Sequence, residues 1–267
     1  ALDREPASIT LDYLDLFHVG RAVDQVKAAG LPVRIASPRI LKPGEEKIAQ
    51  FLVKQACPVL VRANGLLEML PAEAEWVGDF SLNAANRRSA QILLDLGLKR
   101  ITPTHDLNAE QVRTLAQAVG PEALEVVIYQ HLPVFHTEHC VFCRFLSTGT
   151  SYKDCGRPCE EHKVALQDQQ GRQHPVIADV GCRNTVFGWE AQEASRHLSA
   201  WLQAGLHHFR LEFTHETGDQ LIQIVSAFRT FFDGSQPLES LQRKLKTVHP
   251  TTEGSLFVPP DFLGLPV

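Results

Sequence analysis

The sequence predicts an α/β fold, a TIM-barrel-like (β/α) barrel, on the basis of three observations. Short apolar segments alternate with amphipathic helical segments along most of the chain, which is the pattern of units that build a parallel sheet. Seven such strand segments can be counted, and this number indicates a barrel rather than an open sheet. The length of 267 residues also suits a single α/β barrel domain. The count is one short of eight, so an incomplete or distorted barrel remains open.

The elements follow one another in a regular order. The apolar segment 11–17 precedes a helical segment, 20–30, which keeps its apolar residues on one face and ends at Gly30, a suitable C-terminal cap. The same alternation predicts further strands at 32–38, 58–63, 76–82, 99–107, 124–135 and 207–214, and helices at 44–56, 65–70, 83–97, 108–120 and 216–234.

One region departs from this alternation. Residues 162–179 alternate apolar and polar side chains on both sides of the polar segment 168–173, which predicts a β-hairpin. Residues 189–206 then read as an amphipathic helix. We therefore divide the chain into a barrel-like domain (1–234) with a cysteine-bearing insertion (136–188), and a C-terminal tail or linker (235–267). A long insertion among barrel loops is where function tends to be located.

Composition narrows the class of protein. The formal net charge of -5 argues against broad electrostatic attraction to nucleic acid, although a local basic pocket remains open. No apolar run is long enough for a membrane span and no secretory signal is present, so we expect a cytoplasmic protein. The chain starts abruptly and without Met, which predicts that it follows an N-terminal portion of a longer protein. No glycine-rich phosphate loop is found, so a nucleotide cofactor is not expected.

Five of the six cysteines are clustered, with the spacing Cys140-x2-Cys143-x11-Cys155-x3-Cys159-x22-Cys182. Such clustering in a cytosolic chain favours metal or redox chemistry over structural disulfides. Tetrahedral zinc and an iron–sulfur cluster both use four such ligands, and the spacing alone does not choose between them. The sixth, Cys57, is expected to be a small buried hydrophobe.

Polar residues follow several predicted strands, at the end of the barrel where substrates bind. Three cations and several amides at one rim predict a site for a small anionic ligand, because Arg pairs well with carboxylates. The ordinary alternative for each residue is a helix cap or a loop hydrogen bond. The candidates for binding are Arg39, Lys42, Arg62 and Asn83, and those for proton transfer or orientation are His105, Asp106, His136 and Glu138.

The segments HTEHCVFCRFLSTGTSYKDCGRPCEEHKV (136–164) and HPVIADVGCRNTVFG (174–188) resemble the peptidase U32 family, also called collagenase-like proteases. Supporting similarity in ASPRILKPGE, GDFSLNAAN and TPTHDLN extends the resemblance over nearly the whole chain. It is closest to the second barrel-like portion of long members. The resemblance implies oxygen-independent hydroxylation of RNA bases or of the ubiquinone ring, with prephenate required by the RNA-acting members.

The resemblance also implies a [4Fe–4S] cluster on four cysteines, with zinc as the alternative. Carried onto matching positions, the ligands are Cys140, Cys155, Cys159 and Cys182, and Cys143 is the spare thiol. We therefore expect an iron–sulfur-dependent RNA hydroxylase that uses a small anionic co-substrate such as prephenate. Two alternatives stay open: a peptidase, as the family name suggests, and a non-catalytic binding module pinned by zinc. The zinc-protease pattern HExxH is absent, which weakens a hydrolytic metal mechanism.

Overall fold

The computed structural model describes residues 6–13, 16–69 and 75–258. The first half of the described chain alternates short strands with helices. Its strands pair in parallel in the order β1-β2-β3-β4-β5. The elements of this half are β1 (Ile9–Leu11), α1 (Val19–Ala28), β2 (Val33–Ala36), α2 (Glu46–Lys54), β3 (Val59–Val61), β4 (Trp76–Gly78), α3 (Arg87–Asp95), β5 (Arg100–Ile101) and α4 (Ala109–Val119).

The second half is built around a long strand and an antiparallel extension. Its sheet has the order β10-β6-β9-β8-β7, in which β10 is parallel to β6 and the other pairs are antiparallel. The elements are β6 (Val126–Thr137), α5 (Val141–Leu146), α6 (Pro158–Glu161), β7 (Val164–Gln167), β8 (Gln173–Asp179), β9 (Arg183–Glu193), α7 (Leu198–Gln203), β10 (Phe209–Leu211), α8 (Gly218–Phe232), α9 (Leu238–Val248) and β11 (Thr251–Thr252).

The α/β class is confirmed, but the described residues do not form a closed barrel. They form two sheets, which a single parallel bridge between Ile101 and Leu124 connects. The physical reason lies in β6, which continues for twelve residues and takes an antiparallel partner, β9, where a barrel would add another strand–helix unit. The predicted hairpin is confirmed as β7 and β8.

Two boundaries were predicted wrongly. The first strand ends at Leu11 and a 3-10 helix begins at Leu16, although a strand was predicted through residue 17; residues 14 and 15 lie outside the described residues. The helix predicted from residue 189 starts only at Ser195, because β9 continues to Glu193. In both segments the spacing of the apolar residues suits a strand as well as a helix. Backbone hydrogen bonds to a neighbouring strand determine which of the two forms.

Three helices begin at side-chain caps that were visible in the sequence. Asn86, Asn108 and Thr217 each accept a hydrogen bond from the backbone three residues later, and that residue returns one to the cap. Such capping boxes fix where a helix starts. They explain why the predicted helices at 83–97, 108–120 and 216–234 are found.

The predicted C-terminal tail is ordered over much of its length. Leu241 and Leu245 of α9 are buried in the main hydrophobic core, and β11 pairs in parallel with Ala191 and Gln192 of β9. Residues 259–267 of the predicted tail lie outside the described residues. The domain boundary at residue 234 stays a prediction, and α9 belongs structurally to the same core as the strands.

The pairing of β6 with β10 contains a β-bulge. Val127 lies opposite Arg210, whereas the next pair is Tyr129 with Leu211, so β6 has one extra residue at this point. A bulge reverses which face the following side chains occupy. Tyr129 and His131 therefore share the face of Leu211, and Gln130 shares the face of Arg210.

None of the described helices is both long and apolar enough to cross a membrane.

Candidate functional site

The antiparallel extension, which covers the predicted insertion 136–188 and carries the cysteines, has a small hydrophobic core of its own. Phe142, Val176, Ala178 and Val186 are buried together, separately from the main core. Cys140 and Cys159 pack against this cluster, together with Val141 and Val164. The cysteines are therefore attached to a packed platform rather than to a free loop.

The first cysteine is fixed by the start of helix α5 and by strand β9. Cys140 is the N-cap of α5, and its Sγ accepts a hydrogen bond from the backbone N–H of Cys143 at 3.4 Å. Asn184 of β9 is fully buried, and its Oδ1 accepts the backbone N–H of Val141 at 2.6 Å. These bonds hold Cys140 at the junction of α5 and the sheet.

A tight loop brings Cys155 back toward Cys143. The carboxylate of Asp154 accepts hydrogen bonds from the backbone N–H groups of Thr150 and Ser151, at 3.1 and 2.7 Å. Gly149 lies so close to the loop end that a Cβ on it would be 2.4 Å from the carbonyl oxygen of Asp154 and 2.7 Å from the Cα of Cys155. Only glycine fits this approach, so residue 149 determines where Cys155 lies.

Cys182 has an unusual backbone conformation. It lies between β8 and β9 with φ at 60°, directly after Gly181, whose φ is 78°. A left-handed backbone at a residue with a side chain costs about 1–3 kcal/mol and is retained where the surrounding structure requires it. Here the conformation places the thiol of Cys182 in the turn between β8 and β9.

All five clustered cysteines are free thiols, and Cys182 is the exposed one. Desolvation raises the pKa of Cys143, and the thiols of Cys155 and Cys140 raise it further. Desolvation also raises the pKa of Cys159 and of Cys182, with Cys140 as the second cause in both. The thiols of Cys140 and Cys155 thus lie close enough to act electrostatically on each of the other three.

The sulfurs are not packed as tightly as ligands of a single ion. Among the described residues, one group of three or more possible metal ligands has all its ligand atoms within 4.8 Å of one another. That group consists of histidines, and no three of the cysteine sulfurs meet the same limit. Four thiolates on one zinc ion lie about 3.8 Å apart, because each Zn–S bond is about 2.3 Å. The cysteine arrangement is therefore more open than a zinc site.

Lys42 and Glu138 attach the extension to the first sheet. They form an ion pair with each other. Arg183, whose side chain is buried, pairs with Glu138 at 3.2 Å and with Glu45 at 3.1 Å, and donates to the carbonyl oxygen of Ile40 at 3.3 Å. The structure thus places Lys42 and Glu138 together in a salt-bridge link between the loop after β2 and the extension.

Arg62 is engaged in a buried ionic network. It pairs with Asp79 at 2.9 Å and with Asp12 at 2.7 Å. Burial opposes the charged form, but Asp12 and Asp79 outweigh it and raise the pKa of Arg62 above its usual value. The guanidinium is therefore already bound to two carboxylates.

Arg39, His105 and His136 lie near one another, since the charge of Arg39 acts on both histidine rings, and we term this group the polar pocket. The guanidinium carbon of Arg39 lies 5.5 Å from the ring centre of Phe80, and His105 stacks on the same ring at 3.8 Å. Arg39 is also among the charges that lower the pKa of His136, after burial and Asp179. Arg39 NH1, His105 Nε2 and His136 Nε2 are all buried without a hydrogen-bond partner.

Burial controls the charge of this pocket. It lowers the pKa of His105 to about 4, so that the ring is neutral at pH 7. Burial, followed by the charge of Arg62, also lowers the pKa of Arg39. The second ring nitrogen of His105 lies 3.2 Å from Nε2 of Gln130, which orients the ring. Buried groups without partners are uncommon and often mark a binding site.

The remaining candidates make local contacts. Asp106 is exposed, and its carboxylate accepts the hydroxyl of Thr104 at 3.2 Å. Asn83 is exposed and left-handed, with φ at 59°, at the end of the 3-10 helix Phe80–Leu82. Their proposed roles in chemistry stay predictions.

Sequence reasoning did not identify a cluster of three histidines, His131, His215 and His249. Burial, followed by the charge of His131, lowers the pKa of His215 to about 4. Burial also lowers the pKa of His249. Their positions in sequence are separated by more than 30 residues each, so no spacing pattern connects them. His131 lies within the predicted strand 124–135, among the polar residues near its end, and this position was the one available signal.

These features define a class of protein: an α/β protein with a polar pocket beside its parallel strands and an antiparallel extension that gathers free thiols. The sequence model of Peptidase family U32 matches residues 36–258. The chain therefore belongs to the peptidase U32 family, and the resemblance drawn from its motifs is confirmed.

Two known proteins show how far this similarity extends. The 23S rRNA 5-hydroxycytidine C2501 synthase of Escherichia coli (strain K12) is 23% identical over 195 residues, which cover 72% of this chain and 28% of that enzyme. The chain thus spans well under half of this relative. A solved structure, that of the U32 peptidase Mk0906, is similar with a TM-score of 0.41 and 17% identity over 49% of this chain and 65% of the other.

Proposed function

We propose that this chain is the cluster-bearing part of an iron–sulfur-dependent enzyme that hydroxylates an RNA base without oxygen, in the cytoplasm. The observation that carries the proposal is that five free thiols from three separate segments lie within electrostatic reach of Cys140 and Cys155, and that Cys140 and Cys159 pack on one hydrophobic cluster. The similarity to an rRNA hydroxycytidine synthase supports RNA as the substrate class.

The cysteine set fits a [4Fe–4S] cluster better than zinc. A cluster presents four separate irons, so its thiolates lie farther apart than those around a single ion. The open arrangement of the sulfurs agrees with this requirement. We assign Cys140, Cys155, Cys159 and Cys182 as the ligands and Cys143 as the spare thiol, which donates to the carbonyl oxygen of Gly149 at 3.5 Å. When bound, the cluster would supply one-electron redox chemistry.

The pocket of Arg39, His105 and His136 suits a small anionic organic co-substrate such as prephenate. NH1 of Arg39 has no hydrogen-bond partner and can donate to a carboxylate. Hydrogen bonds between an arginine and a carboxylate are stronger than those between neutral groups, and burial away from water strengthens them further. Nδ1 of His105 accepts from the amide nitrogen of Gln130, so the neutral ring carries its proton on Nε2, which has no partner and can donate a hydrogen bond to an oxygen of the co-substrate. Hydroxylation replaces a C–H bond of the base by C–OH and removes two electrons from it. The co-substrate would balance the reaction either by transferring its own hydroxyl oxygen and becoming reduced, or by accepting two electrons while water supplies the oxygen and two protons are released.

The extension also offers surfaces for an unpaired base. Phe145 and Tyr152 are 77% and 68% exposed, and the ammonium group of Lys153 lies 5.8 Å from the ring centre of Tyr152. Exposed aromatic rings beside cations stack with single-stranded bases, and they do not require an overall basic protein.

The peptidase alternative is less well supported. A cysteine nucleophile requires a lowered pKa. Desolvation instead raises the pKa of Cys143, Cys159 and Cys182.

Mass spectrometry of RNA nucleosides tests the function. A strain that lacks the gene should lose a nucleoside with one added oxygen, and the wild-type gene should restore it. A gene with Cys159→Ser should fail to restore it, while Cys57→Ser, outside the cluster, should restore it fully. Unchanged RNA modification in the deletion strain would contradict the proposal and favour a binding module.

A further inference from the structure

Three histidines from distant parts of the chain meet on the face of β6 opposite to Gln130. His131 lies in β6 after the β-bulge, His215 follows β10, and His249 ends helix α9. One nitrogen from each ring lies within 4.8 Å of the others. The ring centres of His131 and His215 are 4.3 Å apart, and those of His131 and His249 are 5.3 Å apart.

One ring nitrogen of each of the three histidines has no hydrogen-bond partner. Nε2 of His131, Nδ1 of His215 and Nε2 of His249 are all buried and unpaired. A buried polar atom without a partner is uncommon in a folded protein, and here three occur in one cluster. A single ligand that accepts all three nitrogen lone pairs, such as a metal ion, would satisfy them together.

The orientation of His131 is that of a metal ligand. Its Nδ1 lies 2.9 Å from the carbonyl oxygen of Gly188, which can only accept, so Nδ1 carries the proton. In this tautomer the lone pair is on Nε2, the ring nitrogen that has no hydrogen-bond partner. A backbone carbonyl that fixes the tautomer in this way is the usual second contact of a metal-binding histidine.

A fully buried carboxylate, that of Glu216, lies next to His131. Oε1 of Glu216 accepts the hydroxyl of Tyr129 at 3.0 Å, and Oε2 accepts the backbone N–H groups of Thr214 and His215 at 2.7 and 3.1 Å. Oε1 also lies 3.3 Å from Nε2 of His131, although the two do not form a hydrogen bond of acceptable geometry. Two ligands of a tetrahedral zinc ion, each about 2.0–2.1 Å from the metal, lie about 3.3 Å apart.

We propose that His131, His215 and His249 bind one divalent first-row transition metal ion, such as zinc or iron(II), with the carboxylate of Glu216 next to His131. Imidazole nitrogens suit these metals, and three histidines with one carboxylate or water form a common coordination set. The ion ties β6, the loop after β10 and the end of α9 to one another. This site is separate from the proposed cysteine cluster and does not depend on it.

Zinc titration of the purified full chain, with its cysteine-bound metal retained, tests the site. Isothermal titration calorimetry should show one Zn²⁺ bound per chain to the wild type. H249Q and H131Q should bind Zn²⁺ at least about 100-fold more weakly, since loss of an outer-shell partner alone costs 10–100-fold. The matched control is H207Q, which changes an exposed histidine outside the cluster.

Iron and sulfide content and thermal unfolding separate the possible outcomes. The histidine variants should keep the wild-type iron and sulfide content, whereas Cys159→Ser should lose it and still bind Zn²⁺. Added zinc should raise the Tm of the wild type and of H207Q but not of H249Q, because a ligand stabilises only the form that binds it. Wild-type protein that binds no Zn²⁺ outside the cysteines, or folded H249Q that binds it as tightly as the wild type, would overturn the site. Either result would mean that the His131–Glu216 ion pair, and not a metal ion, accounts for the arrangement of the histidines.

Discussion

At the scale of single residues, the properties of the polar pocket depend on burial. His105 is packed on Phe80 and beside Gln130, with its Nε2 enclosed and unpaired. Burial disfavours the charged ring, which is why its pKa falls from 6.5 to about 4. Because its Nδ1 accepts from the amide nitrogen of Gln130, the neutral ring holds its one proton on Nε2 and can offer that N–H to a ligand.

The pH dependence of stability follows from the same shift. The unfolded chain binds a proton at His105 below about pH 6.5, whereas the folded chain does so only below about pH 4. The free energy of unfolding should therefore rise between pH 4 and pH 6.5, with His105 contributing at most about 3 kcal/mol. Urea unfolding of the wild type and of H105N measures this contribution. A pH slope that is the same in both proteins would contradict it.

At the scale of elements, the cysteine sites depend on loops rather than on strands. The loop that ends at Cys155 is closed by Asp154 and requires the absence of a side chain at residue 149. The backbone geometry of this loop therefore determines whether Cys155 can reach the other thiols.

Gly149→Ala should disturb the cysteine site. A Cβ 2.4 Å from the carbonyl oxygen of Asp154 forces the backbone to move, at a cost of about 1–3 kcal/mol. We expect the iron content of anaerobically purified G149A to fall below half of the wild-type value. The control is Gly65→Ala, because a Cβ on Gly65 has no atom within 4 Å. Wild-type iron content in G149A would show that the loop can adjust.

The elements that sequence could predict are those with local signals. The helices after Asn86, Asn108 and Thr217 were predictable because each has a capping box. Strand β9 was not predicted: residues 183–188 were left in the insertion and residues 189–193 were assigned to a helix, because its pairing partner, β6, is distant in sequence. The cysteines were predictable from their clustering. The histidine cluster was not, because it depends on a β-bulge and on the packing of α9.

At the scale of the whole molecule, buried charges join the two sheets. Arg210 of β10 pairs with Asp79 at the end of β4 and with Glu125 before β6, each at 2.6 Å. Arg34 of β2 pairs with the same Glu125 at 2.6 Å, and Arg62 pairs with Asp79. Since these side chains come from both halves of the fold, the network fixes the sheets relative to each other.

Asp79→Asn should destabilise the whole fold. The change leaves Arg62 and Arg210 buried without their shared carboxylate, and breaking a buried pair costs about 3–5 kcal/mol. Thermal or urea unfolding measures the loss. Asp95→Asn is the matched control, since Asp95 is exposed and should change stability by less than about 0.5 kcal/mol. Equal stability of the two variants would contradict a central role for the network.

The central claim is that four of the five clustered thiols bind an iron–sulfur cluster, and metal and sulfide analysis of anaerobically purified protein tests it most directly. We predict a brown protein with about four iron and four sulfide per chain. Cys140→Ser and Cys159→Ser should lose both, and Cys143→Ser should retain them. A colourless protein whose cysteines hold a single zinc ion and no sulfide would contradict the account.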